Sequence, residues 1–573
     1  MGESNSLFRI RIISFFILGF FLVLVVSLYF IQIVNGDDFS IKADKQYLRP
    51  SENIFDRGSI FFQDKNGINV SAATLKLGFI LAINPKLIDS SKEQEIYEKL
   101  SKLVEINESD YFKKVAKKTD PYEEISQHLT SEVVQKITEL KLIGVNVYKE
   151  RWRFYPGNNL ASNMIGFIGF QGNDLAGRYG IESYYENILS RKDKNVYVNF
   201  FAEIFSDVSA TLSDNNQKRE GNIIMAVEPV VEGFFEKKLE EINEKWNSKK
   251  TLGVIMNPKN GEIYAMGIYP NFNLNDFSEE EDVSVFSNPI VENVFEMGSI
   301  MKPLTMASGL DAGVVTADTE YNDKGFLILN GAKISNYDRK GRGRVNMQEV
   351  LNQSLNTGAS FVVSKLGNKK FAEYMKNFGL GEETGIDLPN ESLGIIDNLD
   401  SPRDLEYATA SFGQGVAISP ITMVRALSAL SNGGLLVVPH VVKKVEYKNG
   451  LSKTIRGETD KRVIKKETSD EITRMLVEVV DSALLGGTVK LERYSIAAKT
   501  GTAQIPDSEN GGYYSDRYLH SFFGYFPAYD PKFIVFLMTI EPKEVGFASH
   551  TLTQPFIDTT KFLINYYEIA PDR

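Results

Sequence analysis

Among the serines of this chain, Ser299 alone is followed three residues later by a lysine, Lys302, within Phe295-Glu-Met-Gly-Ser-Ile-Met-Lys-Pro303. Three residues on a helix bring two side chains to one face, and this pair has a definite chemistry. A serine hydroxyl attacks a carbonyl only once a base takes its proton, and a lysine is such a base only when neutral. Burial and a neighbouring cation both lower a lysine pKa. The chain offers that cation in Lys499 of Lys499-Thr500-Gly501-Thr502, its only Lys-Thr-Gly. Between the two lies Ser354-Leu-Asn356, whose hydroxyl and amide suit relaying a proton and holding a substrate amide. Each motif alone is weak. Ser-x-x-Lys is commonly a solvated helix face, Ser-x-Asn a cap or turn, and a strand glycine a bulge or close backbone approach. Together they are specific, because order, spacing and setting must all agree.

The elements that must position them read as one unit over residues 249–573. Gly298 and Pro303 frame the start of a helix expected from Ser299 to Leu310. Its unpaired N–H groups and partial positive charge then point at the nucleophile. Ser354 falls between helices expected over Met347–Gln353 and Thr357–Leu366, and Lys499 lies on a strand expected over Tyr494–Thr502. Strands follow at His520–Phe526 and Phe533–Ile540, and a helix at Thr553–Tyr567. Thr251–Met256 and Glu262–Gly267 flank Asn257-Pro-Lys-Asn-Gly261, a hairpin signal. Strands at both ends with helices between predict a central antiparallel sheet flanked by helices. Residues 36–240 read as a mixed, extended α+β pedestal, with strands near Ile60 and Leu77–Ile83 and helices over Lys92–Val104 and Ser131–Leu140.

Ahead of the pedestal, Ile12–Val34 carries no charge and is long enough to cross a bilayer as a helix. Arg9 and Arg11 precede it and Asp37 and Asp38 follow. The expectation is a cytoplasmic N-terminus over 1–11, an uncleaved transmembrane anchor over 12–34, and a body outside the membrane. The length of the run argues against a cleaved signal peptide. A net charge of −11 argues against nucleic-acid binding. The absence of cysteine removes disulfides, thiolate nucleophiles and cysteine-ligated metals. His128, His440, His520 and His550 are scattered, with no HExxH pair, so no metal or other cofactor is expected.

The series Ser-x-x-Lys, Ser-x-Asn, Lys-Thr-Gly resembles the signature of penicillin-binding proteins and serine β-lactamases. Arg57-Gly-Ser-Ile, Asp64-Lys-Asn-Gly67, Tyr155-Pro-Gly157, Gly180-Ile-Glu182 and Asn257-Pro-Lys-Asn-Gly-Glu262 resemble pedestal motifs of the class B penicillin-binding proteins. Phe412-Gly-Gln-Gly415 and Asn432-Gly-Gly434 resemble stretches of their transpeptidase domain. Phe295-Glu296 and Ser354-Leu-Asn-Thr-Gly358 look closer to the division enzyme FtsI than to the elongation type, which usually carries Ser-x-Asp. Met297, Ile300 and Ala498 depart from the usual proline, threonine and glycine, replacing neighbours of the reacting groups.

The resemblance implies a D,D-transpeptidase that cross-links donor and acceptor peptidoglycan stem peptides. In it Ser299 forms the acyl-enzyme and Lys302 is general base. Ser354 and Lys499 pass the proton on, and Asn356 holds the donor amide. Thr500, Gly501 and Thr502 bind the substrate, with Thr500 and Thr502 on its terminal carboxylate, and the N–H groups of Ser299 and Thr502 form the oxyanion hole. It further implies covalent inhibition by β-lactams, placement in the inner membrane facing the periplasm or wall space, and SEDS-family glycosyltransferase and other divisome partners. An elongation-type transpeptidase and a silent penicillin-binding scaffold are the alternatives. A β-lactamase is disfavoured because no Glu-x-x-Leu-Asn segment lies between Ser354 and Lys499.

Overall fold

The computed structural model describes residues 19–21, 55–172, 174–191, 220–459, 461–507 and 509–573. The apolar run 12–34 lies outside them save for three residues, so the anchor reading falls outside the described chain. Among the described residues no helix is long and apolar enough to cross a membrane.

Internal contacts divide the chain into two units. The smaller contains Leu75–Trp152. Helices Glu93–Leu100, Glu108–Val115 and Ser131–Glu139 build it with strand Glu123–Leu129 and the end of strand Asn69–Ile83. Asn107 caps the second helix by accepting the N–H of Asp110. Four-residue spacing then turns Ile96 and Leu100, and Tyr111 and Val115, inward onto Leu81 and Ile83.

The larger unit takes Arg57–Thr74, Arg153–Arg191 and the described part of Phe200–Arg573. Its centre is a five-stranded sheet of β1 (Lys250–Met256), β2 (Ile263–Tyr269), β3 (Ala497–Pro506), β4 (Tyr513–Phe526) and β5 (Phe533–Ile540). The order is β3-β4-β5-β1-β2, antiparallel throughout. The helices that matter to it are α1 (Pro229–Trp246), α2 (Lys302–Asp311), α3 (Asn356–Leu366), α4 (Lys466–Glu478) and α5 (Thr553–Tyr566).

Strand side chains alternate between faces, and here both faces are apolar. Ile255, Phe522, Val535 and Leu537 join Phe235 and Leu239 of α1 and Phe556 and Leu563 of α5 in one cluster. Val254, Phe523, Phe536 and Met538 join Leu304 of α2 and Met475 of α4 in another. The antiparallel sheet flanked by helices is therefore as expected. Both ends of β3 and the start of β4 differ. Strand β3 begins at Ala497 rather than Tyr494, because Asp572 accepts the Ser495 N–H at 2.8 Å and withdraws it from the ladder. It also continues past Thr502 to Pro506, while β4 starts at Tyr513, so the hairpin is longer than the sequence suggested.

Candidate active site

The helix expected from Ser299 opens instead as a 3-10 turn, Gly298–Met301, before α2 begins at Lys302. With three residues per turn, side chains at i and i+3 eclipse. The tighter turn thereby brings Lys302 Nζ to 2.9 Å from Ser299 Oγ. Glycine permits this turn to press against β3. Gly298 has φ +62°, and a Cβ on it would stand 2.6 Å from the Thr502 carbonyl oxygen. The Ser521 hydroxyl of β4 donates to the Met297 carbonyl at 2.9 Å and clamps the same turn.

Ser354 links helix Met347–Asn352 to α3 in the left-handed region, at φ +54°. For a residue with a Cβ that conformation costs about 1–2 kcal/mol. It turns both oxygens of Ser354 toward one amine: Lys302 Nζ donates to the Ser354 carbonyl at 2.6 Å and lies 3.1 Å from its Oγ. From β3, Lys499 Nζ donates to the same Oγ at 3.0 Å and to the Thr500 carbonyl at 3.0 Å. Three motifs separated in sequence thus meet at one hydroxyl.

Lys302 is 1% exposed and Lys499 3%. Burial, and then the charge of Lys499, holds the Lys302 amine well below the usual lysine range. Burial pushes Lys499 down to about 8. A neutral amine has two N–H donors and one lone pair. Lys302 has three oxygen neighbours, so donation to the two Ser354 oxygens leaves the lone pair for the Ser299 hydroxyl.

The remaining residues named from sequence lie around this centre. Asn356 Nδ2 donates to the Ser335 carbonyl at 2.9 Å, which orients the amide and leaves Oδ1 as an acceptor. Thr502 Oγ1 accepts the Ala548 N–H at 3.1 Å, keeping its own hydrogen to donate. Thr500, Gly501 and Thr502 belong to β3, an edge strand of the sheet. Among the described residues no group of three or more His, Asp or Glu side chains is arranged to hold a metal ion.

Supports that sequence reasoning missed surround these groups. Buried Asp323 accepts the Thr357 hydroxyl at 2.8 Å and the Arg342 N–H at 3.0 Å, fixing the start of α3. Glu296 accepts the Gly415 N–H at 2.9 Å and the Tyr513 hydroxyl at 2.9 Å, tying the nucleophile turn to the Phe412-Gly-Gln-Gly415 loop. Phe295-Glu296 and that loop were visible as motifs, but nothing in the sequence says that they bond to each other.

Residues 251–559 match the transpeptidase domain of penicillin-binding proteins, and residues 55–225 match the penicillin-binding protein dimerisation domain. The chain belongs to the penicillin-binding protein transpeptidases. The resemblance read from its motifs is borne out. Stage V sporulation protein D of Bacillus subtilis is 30% identical over 570 residues, covering 97% of this chain and 85% of that protein. Peptidoglycan D,D-transpeptidase FtsI of Buchnera aphidicola is 25% identical over 99% of this chain and 97% of its own length. Peptidoglycan D,D-transpeptidase MrdA of Acinetobacter baumannii is 26% identical over 97% of this chain and 88% of its own. The fold is shared with penicillin-binding protein 2X of Streptococcus thermophilus. The TM-score is 0.71 at 20% identity, covering 90% of this transpeptidase and 81% of that chain.

Proposed function

We propose that this transpeptidase cross-links peptidoglycan stem peptides through an acyl-enzyme on Ser299. The observation that carries the reading is the meeting of Ser299, Lys302 and Lys499 around the Ser354 hydroxyl, two buried amines with no carboxylate among their bonded partners. In the proposed reaction Lys302 takes the Ser299 proton as Oγ bonds to the carbonyl carbon between two terminal D-alanines. The negative charge on the carbonyl oxygen goes to the N–H groups of Ser299 and Thr502. Donors so placed are worth about 3–4 kcal/mol each in acyl transfer.

The C–N bond then breaks. The proton returns through Lys302 and Ser354 to the leaving nitrogen, and D-alanine departs. Ser354 suits this step because its Oγ can accept from both lysines while its own hydrogen remains to donate. Thr500 and Thr502 hold the terminal carboxylate beside charged Lys499, Gly501 gives the nucleophile turn room against β3, since a Cβ there would stand 2.7 Å from the Met297 carbonyl oxygen, and Asn356 Oδ1 accepts a donor-peptide N–H. The donor lies along the edge of β3 as an added strand. An acceptor amine next attacks the ester, Lys302 takes its proton, and Ser299 is restored. β-Lactams acylate Ser299 because their strained amide presents the same carbonyl.

We read the role as septal wall synthesis, since Ser354-x-Asn356 carries asparagine where elongation enzymes usually carry aspartate. A single helix over 12–34 would hold the enzyme at the outer face of the inner membrane beside a SEDS-family glycosyltransferase. The elongation role is the second reading, supported by the likeness to MrdA. Labelled penicillin followed by mass spectrometry tests the chemistry: the adduct is expected on Ser299 and lost in Ser299→Ala. An adduct elsewhere rejects the mechanism. Depletion is expected to give filaments, whereas round cells would favour elongation.

A further inference from the structure

Asp323 ends the short strand Glu320–Asp323 and is 2% exposed. Its Oδ1 accepts the Gly325 N–H at 2.8 Å, the Thr357 hydroxyl at 2.8 Å and the Asn336 amide at 3.1 Å. Its Oδ2 accepts the same amide at 3.0 Å and the Arg342 N–H at 3.0 Å. Every one of these donors is neutral, so the buried carboxylate is answered by directed hydrogen bonds and not by a charge. A carboxylate can only accept, and Asn336 must therefore turn Nδ2 toward Asp323 and Oδ1 away. That oxygen accepts the Thr357 N–H at 3.2 Å, at the start of α3. Asn336 is 2% exposed and Thr357 5%, so no part of this link is open to water.

The same carboxylate directs the peptide link ahead of Asn336. By holding the Gly325 N–H it places Gly325, whose carbonyl accepts the Asn336 N–H at 3.0 Å. In a planar trans peptide the N–H and the preceding C=O point in opposite directions. The Ser335 carbonyl is therefore aimed away from Gly325, and it meets Asn356 Nδ2 at 2.9 Å. A carbonyl too can only accept, so Asn356 gives it Nδ2 and keeps Oδ1 free. Polarity set at one buried carboxylate thus passes through Gly325, Asn336 and Ser335 to the side chain two residues beyond Ser354.

We propose that Asp323 is a positioning residue that sets the preference of Ser299 for acyl donors carrying a secondary amide next to the reacting carbonyl, by holding Asn356 with its acceptor outward. This role rests on the reading above, in which Asn356 Oδ1 accepts a donor N–H. Peptides and acylamino β-lactams carry such an N–H, and a donor without one gains nothing from Asn356. Asp323→Asn keeps the shape but sets an NH2 group among N–H donors. Asn336 is then free to turn its amide over, Gly325 loses its anchor, and the Ser335 carbonyl no longer dictates which end of Asn356 faces the donor.

The test follows acylation of the full-length protein by intact mass with two β-lactams. Benzylpenicillin and penicillanic acid share the strained ring and the carboxylate, and only the first carries an acylamino group. The ratio of their acylation rates, benzylpenicillin over penicillanic acid, is expected to fall at least tenfold in Asp323→Asn. Exchanging the partners, Asp323→Asn with Asn336→Asp, sets a donor against an acceptor again and is expected to raise the ratio at least threefold above Asp323→Asn. In an Asn356→Ala background, where nothing is left to position, adding Asp323→Asn is expected to change the ratio less than twofold. General damage to the site slows both compounds alike, so an unmoved ratio overturns the proposal. So does an equal fall with and without Asn356. Should Asp323→Asn not fold, Asn336→Ala breaks the same link and carries the same expectations. A parent protein that neither compound acylates counts against the transpeptidase reading, and the positioning is then read in unreacted protein from hydrogen exchange of the Asn336 and Thr357 amides. Exchange at least tenfold faster in Asp323→Asn supports it, and unchanged exchange overturns it.

Discussion

Arg57 and Arg153 are buried as deeply as Lys302 and Lys499, yet the arginines enclose a carboxylate and the lysines enclose a hydroxyl. Arg57 Nε and Arg153 Nε each stand 2.6 Å from an oxygen of Glu182, which is 0% exposed. Arg153 also donates to the Gly58 carbonyl at 2.8 Å, so the cluster joins three stretches of chain. With Glu186 also 2.7 Å from Arg57 its charges are matched, and an arginine remains charged in any case. The lysine cluster has two amines and only hydroxyl and carbonyl partners. Desolvation there favours loss of a proton from Lys302, which in the proposed mechanism makes it the base. The same physical problem, a cation out of water, is solved in one place by pairing and in the other by neutralisation. Only the second solution leaves something that reacts.

The largest effect should come from removing the base. Lys302→Met keeps the bulk and the buried environment but cannot accept a proton. Acylation by fluorescent penicillin is expected to fall at least about 10³-fold, within the range of general-base contributions. The thermal midpoint should stay level or rise, since exchanging a buried charge-bearing group for an apolar one is often neutral or stabilising. A variant acylating within tenfold of the parent would remove Lys302 from the role.

The opposite pattern is expected for Glu182→Gln. It strands Arg153, which cannot neutralise, and removes one of the two carboxylates beside Arg57; breaking such a buried pair costs about 3–5 kcal/mol. Glu186 still reaches Arg57 at 2.7 Å, so the lower end is expected. Denaturant unfolding should show the loss, while acylation by the molecules that remain folded changes less than about threefold, since no reacting group is touched. Equal damage to both properties would break the contrast.

These clusters differ just as much in how far the sequence reveals them. The meeting of Ser299, Lys302, Ser354 and Lys499 was legible because the acyl transfer proposed above calls for those residue types in short local patterns. Arg57 and Glu182 were visible only as members of separate motifs. That they bond across 125 residues depends on packing no local pattern encodes. The sheet was legible from short, nearly continuous apolar runs and the hairpin turn between two of them. The start of β3 was not, since Asp572, almost at the chain end, decides it. Nor did spacing reveal that Ser299 opens on a 3-10 turn, because i and i+3 share a face in either helix.

A third buried arrangement sharpens the comparison from the acidic side. Glu232 and Glu236 stand one turn apart on α1, accepting the N–H groups of Met266 and Ala161, each at 2.9 Å. Burial keeps Glu232 protonated well above the usual carboxyl range and pushes Glu236 up to about 7. The folded state therefore holds protons that the unfolded chain releases near pH 4.3. The stabilising contribution is full below that pH and is lost as pH rises toward about 7. Glu236→Gln should flatten this fall, on the order of 3 kcal/mol between pH 4.5 and 7.5. Unfolding curves at the two pH values measure it, and an unchanged slope would mean that the pair carries no such proton.

The smallest effect probes the lysines themselves. Acylation needs Lys302 neutral, so its rate should rise with pH through the lowered pKa, well before the ordinary lysine value of about 10.4. The charge on Lys499 disfavours a second charge on Lys302. Lys499→Gln therefore raises the Lys302 pKa and moves the rising limb to higher pH. Burial outweighs Lys499 as the cause of the lowering. The movement should accordingly be under about one pH unit, equivalent to less than about 1.4 kcal/mol. The midpoint of the limb is the readout; its height will also fall, because Ser354 loses a donor. In Glu182→Gln the midpoint should stay where it is. If the limb stays put in Lys499→Gln, or moves to lower pH, the two amines are not electrostatically linked, and burial alone must account for the base.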